Sequence, residues 1–217
     1  MAESTTFQRA RSAEAKALRE GAILDAARAL GAERGIRAIT LSDIADAVGM
    51  HKSAMLRYFE TREEIFLRLT ADGWREWTPA LRRRLAGAST ASEVAEAFAG
   101  TLATRGLFCD LLAQTPLNLE RNVSVEAVRA YKLVSGEHLA LIANAAREAL
   151  PRLSDTAARD LVAVATSVAG TFWQISTPPP AIAELYRSDP RLGHALVEFE
   201  PRLRRILTTY LTGALAS

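Results

Sequence analysis

The stretch that decides the fold is Ile36–Leu69, IRAITLSDIADAVGMHKSAMLRYFETREEIFLRL. Within it, Thr40 followed by Asp43 three residues later is a capping signal that predicts the start of a short helix. Gly49 ends this helix after barely two turns, and a second short helix is predicted over residues 51–59. Two short helices joined by a glycine turn are the sequence form of a helix-turn-helix.

Amphipathic helices flank this pair on both sides. Upstream, apolar residues from Leu18 to Leu30 recur with helical spacing, and Gly35 is placed to end that helix. Downstream, Thr61 and Glu64 form another capping signal and begin a helix with an apolar inner side. The glycine turn therefore lies inside a helical unit and not in an isolated hairpin.

The rest of the chain is predicted to be helical as well, because helical periodicity runs throughout and strand signals are nearly absent. Thr78 is expected to cap a helix that begins with Pro79, and the three prolines at 178–180 are expected to form a loop. Further helices are predicted over 92–113, 123–150, 154–176 and 191–215. The predicted fold class is all-α with about nine to ten helices, divided into a helix-turn-helix domain (1–70) and a larger helical domain (71–217).

Composition narrows the class of protein. The 217 residues are 49% hydrophobic, which suits a globular chain with a real core. No apolar run reaches the length of a membrane span and the N-terminus lacks an apolar signal core, so we expect a cytoplasmic protein without a membrane partner. The only cysteine, Cys109, excludes an intrachain disulfide and a cysteine zinc cluster.

Charge and motifs narrow the function. A net charge of +2 does not by itself imply a polyanion partner, so any nucleic-acid contact depends on where the charges lie. The first 19 residues form a weakly basic arm, for which a solvated terminus is the simpler interpretation. The sequence contains no glycine-rich phosphate loop, HExxH motif, nucleophile elbow or paired carboxylates near a histidine. We therefore expect neither an enzyme nor a cofactor or metal site.

The helix predicted over 51–59 suits the major groove of DNA. Such a helix must be short, braced from behind and free of bulky apolar groups on its outer side. Met55 and Phe59 can brace it, whereas a plain buried hairpin would need apolar residues in place of the His-Lys-Ser-Ala at 51–54. The candidate DNA contacts are Thr40, Ser42, His51, Lys52, Ser53, Ala54, Arg57, Tyr58 and Arg62.

The same stretch resembles the N-terminal domain of the TetR family of repressors. The resemblance covers about residues 15–70 and rests on Thr40, Ile44-Ala45, Gly49, His51-Lys52-Ser53, Tyr58-Phe59, Arg62 and Ile65. It implies a homodimer that binds a near-palindromic double-stranded DNA operator, with reading helices about 34–36 Å apart. It also implies release of that operator by a small molecule bound in the larger domain. A constitutive or activating DNA-binding regulator of the same fold, without a ligand switch, remains the alternative.

Several positions depart from the family's pattern. Leu56 stands where the family usually has a phosphate-contacting tyrosine, Ser53 where it often has glycine, Tyr58 where it commonly has histidine, and Arg62 where it has lysine. We expect Tyr58 to take the phosphate contact that Leu56 cannot make. The phosphate grip is thus assigned to Thr40, Tyr58 and Arg62, and base reading to His51, Lys52 and Ser53.

The resemblance also implies a dimer interface and an effector pocket in the larger domain. The interface would use the last two long helices, through Leu161, Val164, Val168, Phe172, Leu196, Phe199, Leu203, Ile206, Leu207 and Tyr210. The alternative is that helix 154–176 is simply the core helix of a monomer. The pocket, for a small apolar or aromatic effector, would be lined by Trp74, Trp77, Phe98, Phe108, Cys109, Asn118, Asn122, Tyr131, His138 and Trp173. Each aromatic residue could equally be core, and Cys109 an inert buried thiol.

Overall fold

The computed structural model describes residues 2–216, with side chains from residue 14 onward, so Arg9 and Arg11 of the predicted basic arm lie outside the described side chains. The described residues contain no strand, and nine of the α-helices have seven or more residues, which confirms the all-α prediction. The helices are α1 (Ala2–Arg34), α2 (Leu41–Ala47), α3 (Lys52–Met55), α4 (Arg62–Leu85), α5 (Ala91–Ala103), α6 (Gly106–Gln114), α7 (Val125–Ala149), α8 (Asp155–Ser176), α9 (Pro180–Ser188) and α10 (Phe199–Ala216). Short 3-10 turns lie at Ile36–Ala38, Leu119–Arg121 and Pro190–Ala195.

The predicted helix-turn-helix is present in α2 and α3. Thr40 caps α2 in a full capping box with Asp43, as the sequence predicts. Gly35 and Gly49, the two glycines expected to end helices, have φ angles of +74° and +65°. Only glycine adopts such angles without strain, so these two positions fix where α1 and α2 stop.

Two helix boundaries in this region differ from the prediction. The helix expected over 51–59 is α-helical only from Lys52 to Met55, and the chain continues through tight turns in which Tyr58 and Phe59 donate their N–H groups to the carbonyl of Met55. At Thr78-Pro79 no helix begins, because Pro79 lies inside α4. Trp77 and Thr78 are buried on one side of α4 while Pro79 is exposed, so packing of the buried side carries the helix through the proline.

The C-terminal boundaries also differ. The loop at the prolines ends at Pro179, because Pro180 occupies the first position of α9, where the absent N–H has no helical acceptor to lose. The final helix begins at Phe199 and not at 191, since residues 190–195 form a 3-10 turn that starts with Pro190. Leu196 therefore lies outside the final helix and is 53% exposed.

The larger domain is built around α6, which lies between α4 and α8. A Cβ atom added to Gly73 of α4 would lie 2.2 Å from Phe108 of α6, and one added to Gly106 of α6 would lie 2.3 Å from Trp173 of α8. A Cβ atom on Gly170 of α8 would similarly meet the backbone of Ala113 at 2.9 Å. These three glycines let α6 approach both neighbours closely, and α7, α5 and α10 complete the core around them.

A single helix joins the two predicted domains. The boundary at residue 70 falls inside α4, whose first turns pack under the helix-turn-helix and whose later turns carry Trp74 and Trp77 into the core of the larger domain. No helix in the part of the chain that the structure describes has the length and apolar character needed to span a bilayer.

Candidate nucleic-acid interface and effector pocket

The residues predicted to read bases lie on one exposed surface. His51, Lys52 and Ser53 are exposed at the start of α3, and we call residues 51–58 the reading segment. Behind it Met55 is 0% and Phe59 is 7% exposed, so these two side chains brace the segment as expected. Arg57 is exposed and Ala54 is half-buried. The segment therefore presents polar and basic groups, together with Leu56 at 53% exposure, on a buried apolar support.

Thr40 is committed to its own helix. Its hydroxyl accepts from the N–H of Asp43 at 3.1 Å and donates to the Asp43 carboxylate, which also accepts from the N–H of Thr40 at 2.7 Å. The Thr40 hydroxyl, followed by its backbone N–H, holds the pKa of Asp43 below its usual value. The hydroxyl predicted to grip phosphate thus fixes the start of α2, whereas Ser42 in the same turn is exposed.

Arg62, predicted to clamp phosphate, is also engaged inside the protein. Its guanidinium donates to the carbonyl oxygens of Ile36 at 3.2 Å and Ile39 at 2.8 Å, pairs with Glu63 at 3.0 Å and lies over the ring of Phe66. Arg62 therefore ties the start of α4 to the turn that precedes α2.

A basic cluster that the sequence argument did not use adjoins the reading segment. Lys16 and Arg19 of α1 line a cleft of about 460 Å³ together with Arg57 and Tyr58. Lys16 and Arg19 belong to the weakly basic arm, for which a solvated terminus was the simpler interpretation. Helical periodicity from Ala15 could have placed them on one face of α1, but only the fold shows that this face adjoins Tyr58.

Four of the aromatic residues predicted to line a pocket pack on one another. Trp74, Trp77, Phe98 and Phe108 form the aromatic cluster, in which neighbouring rings lie 5.6–5.9 Å apart and are at most 5% exposed. The Trp77 indole N–H donates to the Thr101 hydroxyl at 2.9 Å. The cluster therefore forms core, the alternative that the sequence left open.

The remaining predicted pocket residues each have other partners or surroundings. Asn118 and Asn122 are not buried deeply and bond to each other, while Trp173 packs edge-on against Phe199 at 5.8 Å. His138 bonds to the buried Thr78 hydroxyl at 3.0 Å, and burial lowers the pKa of this histidine. Cys109 is fully buried, and burial raises the pKa of its thiol to about 12, which describes an inert thiol.

A small open slot lies between α4 and α7, next to the aromatic cluster. This α4–α7 slot has a volume of about 160 Å³ and shares only Tyr131 with the predicted pocket. The Tyr131 hydroxyl accepts from the Trp74 indole N–H at 3.4 Å, so the slot adjoins the aromatic cluster. Its walls are apolar with charged residues among them: Phe59, Glu64, Leu67, Arg68, Ala71, Arg75, Ala127, Ala130, Tyr131 and Val134.

The residues predicted for the dimer interface fall into two groups. Leu161, Leu203 and Leu207 are 0% exposed inside the protomer, where α10 packs on α5 and α8, so these three side chains are unavailable to a partner. Leu196 is exposed, and the others keep part of their surface free: Val164, Val168, Phe172, Phe199, Ile206 and Tyr210. The Tyr210 hydroxyl donates to the Ala157 carbonyl at 2.9 Å, a further tie between α10 and α8.

Solved structures share this architecture. The regulator PfmR from Thermus thermophilus matches with a TM-score of 0.56 and 17% identity, covering 88% of this chain and 97% of that one. FadR from Bacillus subtilis, solved in complex with stearoyl-CoA, matches with a TM-score of 0.53 and 16% identity over 87% of this chain and 97% of that one. At such identities the likeness establishes the fold.

Sequence comparisons give the family. Residues 23–69 match the family "Bacterial regulatory proteins, tetR family", and residues 71–217 match "Tetracyclin repressor-like, C-terminal domain". The HTH-type transcriptional repressor KstR2 from Mycobacterium tuberculosis is 39% identical over 59 residues, which span 27% of this chain and 29% of that protein. The two family matches together cover most of the chain, which therefore belongs to the TetR family of bacterial DNA-binding transcriptional regulators.

Proposed function

We propose that this protein is a repressor whose homodimer binds a palindromic operator through the reading segment and leaves it when a small molecule binds. The observation that carries the proposal is the exposed, polar start of α3 on a buried apolar support formed by Met55 and Phe59. A surface of this kind has no packing role within the protomer, and it has the size that the major groove accepts.

The proposed contacts divide into base readers, phosphate contacts and supports. His51, Lys52 and Ser53 read base edges from the first turn of α3. The phosphate contacts come from the basic cluster and its surroundings: Lys16, Arg19, Ser42, Arg57 and Tyr58. Thr40 and Arg62 act as supports, because their polar atoms already hold α2 and the turn before it. With a net charge of only +2, affinity depends on these few placed contacts.

The dimer is proposed to form through the surface that α8 and α10 leave free. On α8, Val164, Val168 and Phe172 keep part of their apolar surface accessible. Ile175 at the end of α8 and three apolar residues after it, Ile182, Leu185 and Leu196, are also 39–53% exposed. If these residues share one face, such an exposed apolar surface is unusual on a monomer and typical of an interface.

The α4–α7 slot is the proposed effector site. At about 160 Å³ it is smaller than a typical ligand pocket, so an effector must widen it by moving α7 away from α4. One wall is Phe59, the residue that braces the reading segment, and entry of a ligand would therefore act directly on that support. The FadR structure solved with stearoyl-CoA suggests an acyl ligand, and Arg68 and Arg75 beside the apolar wall suit an anionic group on such a ligand.

Operator selection with the purified protein tests the DNA-binding half of the proposal. We expect a palindromic duplex to be retained at moderate salt, and Tyr58→Phe to weaken its binding by removing a phosphate contact. Failure of the wild-type protein to retain any duplex would overturn the proposal, and unchanged affinity in Tyr58→Phe would remove Tyr58 from it.

Mobility shifts with added ligand test the switch. The probes are stearoyl-CoA, lauroyl-CoA, the free fatty acids and CoA alone. We expect an acyl compound to release the operator from the wild-type protein but not from Val134→Trp, which fills the slot. Val125→Trp on the same helix is the control, because Val125 is 77% exposed.

The closed aromatic cluster favours one second candidate, a constitutive or activating regulator with a filled core. An operator complex that no acyl probe or other small apolar or aromatic compound releases would support that candidate over the switch.

A further inference from the structure

Asp110 of α6 joins three parts of the molecule that are distant in sequence. Its carboxylate is nearly buried, with the residue 6% exposed. One oxygen accepts from the backbone N–H of Ile36 at 2.8 Å, and the other accepts from the Gln174 side-chain amide at 2.8 Å. Within the described residues, no lysine, arginine or histidine forms an ion pair with it. The carboxylate thus links α6 to the turn before α2 and to α8.

The peptide group that Asp110 holds is a joint of the DNA-binding domain. Ile36 opens the 3-10 turn between α1 and α2, and it follows Gly35, whose φ of +74° marks an abrupt change of chain direction. The Ile36 carbonyl accepts from Arg62 at the start of α4. The same residue is therefore held through its N–H from α6 and through its carbonyl from α4. Gly35 gives the chain many accessible backbone angles just before Ile36. The hydrogen bonds that Asp110 and Arg62 form with the Ile36 peptide groups restrict that freedom.

On the other side, α6 cannot move independently of α8. The close approaches at Gly106 to Trp173 and at Gly170 to Ala113 lock the two helices together, because packed cores shift between discrete arrangements and do not deform smoothly. The bond from Gln174 to Asp110 adds a polar tie to that packing. A rotation of α8 therefore moves α6 with it, and Asp110 transmits that movement to the backbone at Ile36.

A carboxylate is suited to this position for a chemical reason. Both donors need an acceptor, and a carboxylate offers two acceptor oxygens that form charge-assisted hydrogen bonds. Asparagine at the same position would offer one oxygen and turn its amide toward one of the two donors. Packing alone would not require an acid here.

We propose that Asp110 is a positioning residue for operator binding, which fixes the orientation of the reading segment relative to α8 and thereby sets the half-site spacing that the dimer accepts. This inference rests on the proposed function, because spacing has meaning only for a dimer on DNA. It differs from a role in stability alone, since loss of the tie should change which operators bind and not only how tightly they bind.

The test compares wild-type protein with Asp110→Asn on duplexes that carry the selected half-sites at varied spacing. Asp25→Asn is the control, since it removes the same charge from an exposed position of α1. We expect the wild type and the control to prefer one spacing, and Asp110→Asn to keep the half-site sequence while discriminating about tenfold less between adjacent spacings. Amide hydrogen exchange gives a readout that needs no DNA: we expect the Ile36 N–H to exchange at least about tenfold faster in Asp110→Asn.

Each outcome bears on a different claim. An unchanged spacing preference in Asp110→Asn, or weaker binding at every spacing alike, would overturn the positioning role. A wild-type protein that retains no duplex would instead refute the proposed function. Should Asp110→Asn fail to fold, Gln174→Leu removes only the tie to α8, and it too must relax the spacing preference for the proposal to stand.

Discussion

The reading segment and the aromatic cluster differ in how much of their side-chain surface is exposed to solvent. The reading segment is a four-residue helix and a series of turns, with polar side chains and Leu56 exposed and with Met55 and Phe59 buried behind them. The aromatic cluster is four large rings packed on one another at tilted and edge-to-face angles, with almost no surface left. The difference teaches that a buried aromatic ring serves folding whether or not a ligand exists, whereas the exposed side chains of the reading segment contribute little to folding, so only DNA binding can test their role.

The sharpest test of this contrast is Trp77→Ala. Trp77 is 0% exposed and its indole is hydrogen-bonded, so its loss should lower the free energy of unfolding by about 3–5 kcal/mol. Urea unfolding measures this change. His51→Ala in the reading segment should leave stability within about 0.5 kcal/mol. Equal effects of the two substitutions would remove the distinction.

A pair of glycine substitutions probes the packing around α6. Gly73→Ala places a Cβ atom 2.2 Å from the Phe108 ring, and we expect destabilisation by about 1–3 kcal/mol, partly offset by the better helix propensity of alanine. Gly136→Ala in α7, where nothing lies within 4 Å, should stabilise by up to about 1 kcal/mol. Thermal unfolding should therefore show a lower melting temperature for Gly73→Ala and a higher one for Gly136→Ala. A Gly73→Ala protein as stable as the wild type would show that α6 can move aside.

Lys52→Ala reverses the pattern, with an effect on DNA and none on folding. Loss of a base contact should weaken operator binding by about 1–3 kcal/mol and relax specificity at the contacted base. Lys132→Ala is the matched control, because Lys132 lies on α7 and pairs with Glu120 at 2.8 Å. Fluorescence anisotropy with operator and mutated duplexes measures both. Equal losses in the two variants would point to a general charge effect.

The smallest expected effect is at the cap of α2. Thr40→Ala should lower stability by about 1 kcal/mol through loss of the cap. The lowered pKa of Asp43 adds a pH signature, because its contribution is present above the unfolded-state pKa and is lost as pH falls through the lower folded-state value. Unfolding measured in acid, as pH falls through that window, should therefore show a weaker pH dependence in Thr40→Ala. The same pH dependence of unfolding in the wild type and in Thr40→Ala, over this acidic range, would contradict this expectation.

The sequence predicts the elements whose causes are local. Thr40 with Asp43, and the two positive-φ glycines, carry their signals within a few residues, and the structure has them where predicted. Pro79 misleads because buried neighbours on the same helix outweigh the missing hydrogen bond.

The roles that sequence reasoning did not find depend on distant partners. Local sequence does not show that Arg62 donates to the carbonyl oxygens of Ile36 and Ile39. Asp110 has partners 74 and 64 residues away, so no local spacing draws attention to it. The aromatic residues show the same limit, since their periodicity is identical for a closed core and a cavity wall.

The burial of Cys109 makes the molecule convenient for spectroscopy. Because the sole native thiol is shielded, a single cysteine introduced at an exposed site would carry a dye or spin label alone, with the native sequence otherwise intact. Labels on the reading segments of a dimer would report their separation directly, in ångströms, with and without operator and effector.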